Sequence, residues 1–286
     1  MLAHQQAPFV VGYLPQRIIR HVMREEMTEA GIHRYLVAMA SLISEMTEGG
    51  TRYHLLGDAR RKSFASLDGM RMISEGIRSL LVAEQIDRKA LLTSEAWFGS
   101  ADADGIPSFR DINEAWSHLT DHPQAIPQVA LVVGSTGAGK TTFARYLAGD
   151  FGAQRFSIDE WMKRLHIPDR PADAGFDWYW ERIQRCEAVI RDSSERLVEL
   201  GIPLVLDLGL SDEEHRATWL AWAQRRALDA WIYYVDVPAD ERWRRVEARN
   251  QSASRSSLVT REMFDFVEQR FEPPTSDEAK LAVVRW

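Results

Sequence analysis

The sequence predicts an α/β domain over residues 126–286, in which helices flank a five-stranded parallel sheet, preceded by an all-helical domain over residues 1–125. Three observations support this prediction. After Pro127, short apolar runs of β type alternate with longer segments of helical pattern. A glycine-rich loop lies between the first such run and the first helical segment. Before Pro127, apolar residues recur at helical spacing instead.

The N-terminal part is predicted to contain several helices and to end between Pro123 and Pro127. Apolar residues recur at helical spacing from 16 to 98, as in Ile18, Val22 and Met23, and then Leu36, Met39, Ala40 and Ile43. Turn-forming residues fill 99–107, and a short helix is expected over 111–119. The apolar stripes indicate only a buried surface. We therefore expect an accessory or regulatory domain, which restrains its neighbour in cis, completes its site or mediates dimerisation.

The C-terminal part is predicted to alternate between strands and helices, joined by right-handed crossovers. The expected strands are 129–133, 155–158, 203–207, 231–235 and 281–285. The expected helices are 141–147, 178–200, 212–227, 240–250 and 261–270.

Composition and charge limit the function. The 286 residues carry a net charge of −7, which gives no excess of positive charge for a nucleic-acid-binding surface. The single cysteine, Cys186, excludes an internal disulfide and a cysteine-based zinc site and fits a reducing compartment, so we expect a cytoplasmic location. We expect neither secretion nor membrane insertion, because no signal-peptide pattern and no apolar run of roughly 18 residues occur.

The glycine-rich loop matches the phosphate-binding pattern G-x-x-x-x-G-K-[ST] over residues 134–141. Its glycines let backbone N–H groups approach a phosphate, and the following helix adds the positive end of its dipole. The predicted binding set for ATP or GTP is Gly134, Ser135, Thr136, Gly137, Ala138, Gly139, Lys140, Thr141 and Thr142. Lys140 is expected to contact the β- and γ-phosphates. The alternative, a turn without a ligand, is disfavoured by the order strand, loop, helix.

Two acidic residues lie at the carboxyl ends of predicted strands and would share the crevice with this loop. Asp159 is the candidate catalytic base, which would accept the proton of an acceptor hydroxyl. Its alternative role is the N-cap of a helix that begins at Glu160. Asp207 ends an apolar strand, and with the Thr141 hydroxyl it is the candidate Mg²⁺ site.

A third group of candidates is basic. Arg242, Arg245 and Arg249 share one face of a predicted helix, where they could neutralise charge during phosphoryl transfer together with the polar loop 250–257. The alternative is a solvated helix face paired with Glu241 and Glu247.

Acceptor selection is expected from the segment between Trp161 and Trp180, which follows the candidate base. Its candidates are Trp161, Arg164, Arg170, Asp177, Trp178 and Tyr179, and the alternative for each is packing of a surface flap. Cys186 is expected to be an ordinary, partly buried thiol. His118 and His122 lack an acidic partner, so no metal site is expected there.

Five segments occur together in this chain: the phosphate loop, Ser-Ile-Asp-Glu-Trp-Met at 157–162, Leu-Asp-Leu-Gly at 206–209, Arg-Val-Glu-Ala-Arg-Asn at 245–250 and Phe-Glu-Pro-Pro at 271–274. In this combination, residues 128–286 resemble the P-loop kinases of the zeta-toxin and chloramphenicol-phosphotransferase type, which belong with the AAA-type ATP-binding proteins. The resemblance implies an adenylate-kinase-like sheet with the third strand beside the first. It also implies that Asp159 is the catalytic base and that Arg245 and Arg249 are lid arginines.

The sequence therefore predicts an ATP-dependent phosphotransferase that acts on a hydroxyl of a small molecule, with ATP or GTP and Mg²⁺ as cofactors. Two alternatives stay open. One is an ATP-hydrolysing switch that controls a partner through the N-terminal domain. The other is a polynucleotide end kinase, which would need a basic channel.

Overall fold

The computed structural model describes residues 9–14, 16–23, 26–60, 63–64, 67–81, 83–93, 106–120, 126–171, 173–251 and 258–285. The chain divides into two compact units. The N-terminal unit contains Met1–Ile126 together with Ala282–Trp286, and the C-terminal unit contains Pro127–Leu281. None of the described helices is both long enough and apolar enough to cross a membrane.

The N-terminal unit contains both helices and strands. Its elements are β1 (Phe9–Leu14), β2 (Ile18–Met23), β3 (Glu26–Met27), α1 (Glu29–Thr47), β4 (Tyr53–Asp58), β5 (Ser63–Phe64), α2 (Leu67–Leu80), β6 (Ile86–Leu92), β7 (Ser108–Phe109) and α3 (Ile112–Thr120).

The C-terminal unit alternates between strands and helices. Its elements are β8 (Val129–Val133), α4 (Lys140–Phe151), β9 (Gln154–Ser157), α5 (Ile158–Leu165), α6 (Phe176–Glu199), β10 (Leu204–Asp207), α7 (Glu213–Arg225), β11 (Ala230–Val235), α8 (Ala239–Asn250) and α9 (Arg261–Glu268). The last strand of the chain, β12, spans Lys280–Arg285.

The prediction of an all-helical N-terminal domain is wrong. Strands β2, β4, β6 and β7 pair in parallel, and β1 lies antiparallel to β2. Ile18 and Val22 lie on β2. Their separation of four residues indicated a helix, but the same separation also places two side chains on one face of a strand. The helices expected around Leu36–Ile43 and over 111–119 are confirmed as α1 and α3. Most of the expected turn at 99–107 lies outside the described residues.

A buried carboxylate in the N-terminal unit is paired with two arginines. Asp58 ends β4, is 2% exposed and accepts hydrogen bonds from Arg20 at 2.9 Å and from Arg60 at 2.7 Å. Burial by itself would raise the pKa of Asp58, but the two guanidinium groups outweigh it and bring the pKa to about 2. The carboxylate therefore stays charged inside the unit.

The predicted parallel sheet of the C-terminal part is confirmed, with one change. Strands β11, β8, β10 and β9 lie side by side in this order, and all of their pairings are parallel. The third predicted strand, β10, lies beside the first, β8, as the family resemblance implies. The fifth predicted strand forms as β12, but it pairs antiparallel with β1, with Val283 opposite Tyr13. No local pattern could reveal this partner, which lies at the other end of the chain.

The five helices predicted after the phosphate loop are confirmed as α4, α6, α7, α8 and α9, with ends shifted by a few residues. Both faces of the sheet are covered, since every residue of β8 and β10 is buried. One face packs against α6 and α7 through Ile190, Trp219 and Trp222. The burial of both faces is typical of parallel sheets and leaves the strand ends as the place for polar groups.

Arg216 on α7 joins the loop after β10 to the segment before β12. Its side chain is 1% exposed, and it donates to both carboxylate oxygens of Glu278 at 2.6 and 2.9 Å. It also donates to the carbonyl oxygens of Leu210 at 3.3 Å and Glu272 at 2.8 Å. Leu210 has a φ of 45°, which L-residues rarely adopt, so this arginine helps to hold a strained turn.

Candidate functional site

The phosphate loop connects the buried strand β8 to α4, which begins at Lys140. Gly137 and Gly139 have φ values of 81° and 92°, the left-handed region that glycine adopts without steric cost. A Cβ at position 137 would lie 2.6 Å from the carbonyl oxygen of Arg242. The loop thus brings its backbone to the N-terminus of a helix, where unpaired N–H groups can bind an anion.

The remaining loop residues are held by specific contacts. Ser135 is buried and donates to the Glu268 carboxylate at 2.8 Å. The carbonyl oxygens of Thr136 and Ala138 accept hydrogen bonds from α8 arginines. Thr142 is half-buried in the first turn of α4. The sequence predicted that these residues bind phosphate, but it did not predict the contact between Ser135 and Glu268.

Lys140 interacts electrostatically with both candidate acids, Asp159 and Asp207. Its Nζ donates to the carbonyl oxygen of Ser135 at 3.2 Å. Burial lowers the pKa of Lys140, the charges of Asp207 and Asp159 oppose this, and Arg242 and Arg249 lower it further. The ammonium group is therefore within electrostatic range of both acids and two arginines, which brings together residues from four separate elements.

Asp207 is the buried last residue of β10 and lies beside Ser157 of β9. Burial raises its pKa, while a hydrogen bond with Thr141 and the charge of Arg155 lower it. Arg155 donates to Asp207 at 3.0 Å, a contact that the sequence did not predict. The Thr141 hydroxyl and the Asp207 carboxylate supply the oxygen ligands that Mg²⁺ prefers, and few protein ligands are needed because this ion keeps several waters. The two side chains fit a Mg²⁺ site.

Asp159 is the exposed second residue of α5. The N-cap of this helix is Ser157, so the alternative interpretation of Asp159 as a cap is wrong. The next residue, Glu160, forms ion pairs of 2.6 Å with both Arg145 and Arg155. These pairs fix the first turn of α5 and leave the Asp159 carboxylate facing solvent.

The three arginines that were predicted to share one face of α8 have different environments. Arg242 is 5% exposed and forms two hydrogen bonds with Glu268, at 2.8 and 2.6 Å. Arg245 is half-buried and donates to Glu241 at 3.0 Å and to the carbonyl oxygen of Ala138 at 3.4 Å. Arg249 is exposed and lies within electrostatic range of Lys140. The rest of the expected lid, residues 252–257, lies outside the described part of the chain.

Comparison with known families agrees with this arrangement. The sequence profile of the AAA domain family matches residues 129–274, just over half of the chain. The chain belongs to this AAA domain family. Its matched region contains the phosphate loop, Asp159, Asp207 and the arginines of α8.

Several solved structures are similar to the AAA domain at low identity. Kti12 from Chaetomium thermophilum, solved with ADP-AlF3, is 17% identical over 55% of this chain and 89% of that chain, with a TM-score of 0.42. A sugar kinase from Janibacter sp. is 16% identical over 55% and 84%, with a TM-score of 0.39. Shikimate kinase from Acinetobacter baumannii, in complex with shikimate, is 19% identical over 55% and 82%, with a TM-score of 0.35. No curated protein matches the chain.

The expected acceptor segment of the AAA domain divides into packed and exposed residues. Trp161, Trp178 and Tyr179 pack against the sheet core, and the Tyr179 hydroxyl accepts from Arg170 at 2.8 Å. Arg164 and Asp177 are exposed on α5 and α6. The packing alternative thus describes the three aromatic residues, whereas Arg164 and Asp177 are exposed to solvent.

The remaining residues considered in the sequence are Cys186 and two histidines. Cys186 is 3% exposed, burial raises the pKa of its thiol, and its Sγ lies 3.5 Å from His166 Nε2. His118 packs its ring against Phe109 at 5.3 Å, and His122 lies outside the described residues. Within the described part of the chain, no three His, Cys, Asp or Glu residues are grouped to hold a metal.

Proposed function

We propose that the AAA domain is a phosphotransferase that moves the γ-phosphoryl group of ATP, or GTP, to a hydroxyl of a small molecule. The observation that carries the proposal is the position of Lys140, which lies at the phosphate loop and within electrostatic range of both Asp207 and Asp159. A protein that only binds nucleotide needs Asp207 for its metal. An acceptor hydroxyl also requires a base that it can reach from solvent, and Asp159, which is exposed in the first turn of α5, can serve as this base.

Each residue then has a separate role. The loop N–H groups and Lys140 bind the phosphates, and Arg245 and Arg249 neutralise the charge that develops during transfer. Thr141 and Asp207 hold Mg²⁺, which neutralises charge on the phosphate oxygens when it is bound. Asp159 accepts the proton of the acceptor hydroxyl, and its exposure leaves it open to an acceptor that arrives from solvent.

The proposed acceptors are a small metabolite, a nucleotide sugar, a nucleoside or an antibiotic. The resemblance to zeta toxins and chloramphenicol phosphotransferases does not choose among these four classes. Restraint of the domain by the N-terminal unit, as a cis-regulatory module, belongs to the same proposal.

The experiment compares three variants in a labelling assay with γ-labelled ATP and fractionated cell metabolites. Asp159→Asn should keep its ATP affinity and lose acceptor phosphorylation, whereas Lys140→Ala should lose ATP affinity itself. Glu214→Gln is the matched control, because Glu214 is also an exposed acid at the second position of a helix, α7. Unaltered turnover of Asp159→Asn would remove the base assignment.

The same assay separates the alternatives. Rapid ATP hydrolysis without any labelled metabolite would favour a switch protein. Labelled 5′ ends of added oligonucleotides would favour a polynucleotide end kinase.

A further inference from the structure

The carboxylate of Glu268 connects α9 to the phosphate loop and to α8. It accepts the Ser135 hydroxyl at 2.8 Å and two guanidinium N–H groups of Arg242 at 2.8 and 2.6 Å. Ser135 is 133 residues from Glu268 in the chain, so this contact exists only through the fold. Its charge-assisted hydrogen bonds are of the strong class.

Arg242 is fully engaged by protein atoms. Besides Glu268, its Nε donates to the carbonyl oxygen of Val237 at 2.8 Å, and its Nη1 lies 3.3 Å from the carbonyl oxygen of Thr136. Its own carbonyl oxygen lies against Gly137. Arg242 is 5% exposed and its guanidinium group is bonded to protein acceptors, which suits a structural support of the loop better than a ligand of phosphate.

The bonds of this cluster act on consecutive loop residues. The Ser135 side chain and the Thr136 carbonyl are both fixed, and Gly137 is confined by the backbone of α8. Phosphate binding depends on the direction of the loop N–H groups, and these directions follow from the orientation of the peptide planes. The hydrogen bonds from Arg242 also lower the pKa of Glu268, which keeps its carboxylate charged beside the loop.

We propose that Glu268 and Arg242 are positioning residues that hold the phosphate loop in its anion-binding shape. Helices α8 and α9 thereby control nucleotide affinity through Ser135 and Thr136, without direct contact with the reacting phosphate. The effect on nucleotide affinity rests on the proposed function. The effect on the shape of the loop does not, because it can be measured in the nucleotide-free protein.

The first test uses the nucleotide-free full chain and hydrogen exchange at the amide of Ala138, which donates to the carbonyl oxygen of Ser135 at 3.2 Å. Glu268→Ala should increase the exchange of this amide about tenfold, since Ser135 loses the side-chain hydrogen bond that holds it. Glu262→Ala, an exposed acid on the same helix α9, should leave the exchange unchanged. Equal exchange in wild type and Glu268→Ala would overturn the proposal, whether or not the protein binds nucleotide.

The second test is a double-mutant cycle with ADP binding as the readout. Glu268→Ala should weaken ADP binding about tenfold, which corresponds to about 1.4 kcal/mol. Adding Ser135→Ala to Glu268→Ala should cost less than Ser135→Ala costs alone, because the two groups act through one hydrogen bond. Strict additivity would contradict the mechanism. Glu268→Gln, which keeps an acceptor oxygen for Ser135, should recover part of the affinity and covers the case in which the alanine variant fails to fold.

These outcomes are distinct from failure of the proposed function. A wild-type chain that binds no ADP, or that binds it equally well after Lys140→Ala, would refute nucleotide binding at the loop. The exchange experiment would then still decide whether Glu268 positions the loop.

Discussion

Replacing Gly137 by alanine tests whether the phosphate loop is held as tightly as its contacts imply. Gly137 has a φ of 81°, and an added Cβ would lie 2.6 Å from the Arg242 carbonyl oxygen and 3.0 Å from a methyl carbon of Val246. Both distances are shorter than ordinary contacts. The Arg242 backbone cannot yield easily, because its side chain is anchored to Glu268.

The expected cost combines three effects. The left-handed conformation costs alanine about 1–2 kcal/mol, and forced contacts in a packed region cost about 1–3 kcal/mol. Loss of glycine flexibility in the unfolded chain offsets about 0.4–1 kcal/mol. The sum is about 3 kcal/mol, which predicts a decrease in Tm of about 6–12 °C if the loop keeps its shape. If the loop opens instead, the cost should appear as a loss of nucleotide affinity of about a hundredfold.

The assay combines thermal unfolding with titration of ADP, so that the two losses can be added. Gly149→Ala is the matched control, because Gly149 lies in α4 and an added Cβ meets no atom within 4 Å. This variant should gain about 1 kcal/mol through helix propensity. A Gly137→Ala protein with the Tm and the ADP affinity of the wild type would refute the reasoning.

Three further predictions concern the rest of the chain. Arg216→Met should lower the free energy of unfolding in urea by about 2–3 kcal/mol, because the half-buried Glu278 carboxylate loses both guanidinium hydrogen bonds and keeps the one from the Thr275 N–H; a change below about 1 kcal/mol would contradict this. Asp58 should contribute about 2 kcal/mol of stability above pH 4, because its pKa falls from about 4 in the unfolded chain to about 2 in the folded one. This contribution should be lost as the pH decreases from 4 to 2, and Asp58→Asn should flatten that part of the stability profile. A fragment of residues 125–286 should aggregate on size-exclusion chromatography, since β12 loses its partner β1 and exposes an edge; a monomeric, fully folded fragment would show that this pairing is dispensable.

The phosphate loop and the placement of both acids followed from local information. A glycine pattern between a buried strand and a helix specifies its own geometry, because only glycine adopts the required φ values at low cost. Asp207 ends its strand, and Asp159 is the second residue of the helix that follows β9; parallel strands end at one edge of a sheet, so their convergence near Lys140 was predictable. The helices after the loop could likewise be predicted from the helical spacing of apolar residues.

The role of each α8 arginine was decided by the tertiary structure. The spacing predicted three guanidinium groups on one helix face. In the structure, Arg242 is buried and paired with Glu268 of α9, whereas Arg249 is exposed. Arg155 gave no signal in the sequence, because its contact with Asp207 forms across two strands.

By itself, the sequence determined the parallel α/β domain, its phosphate loop and the order of its elements, since each depends on neighbouring residues. The tertiary structure alone decided that Ile18–Met23 is a strand and that β12 joins β1. A period of four residues suits both a helix and a strand, and pairing between the two ends of a chain is selected by burial of the whole sheet, which no local pattern encodes.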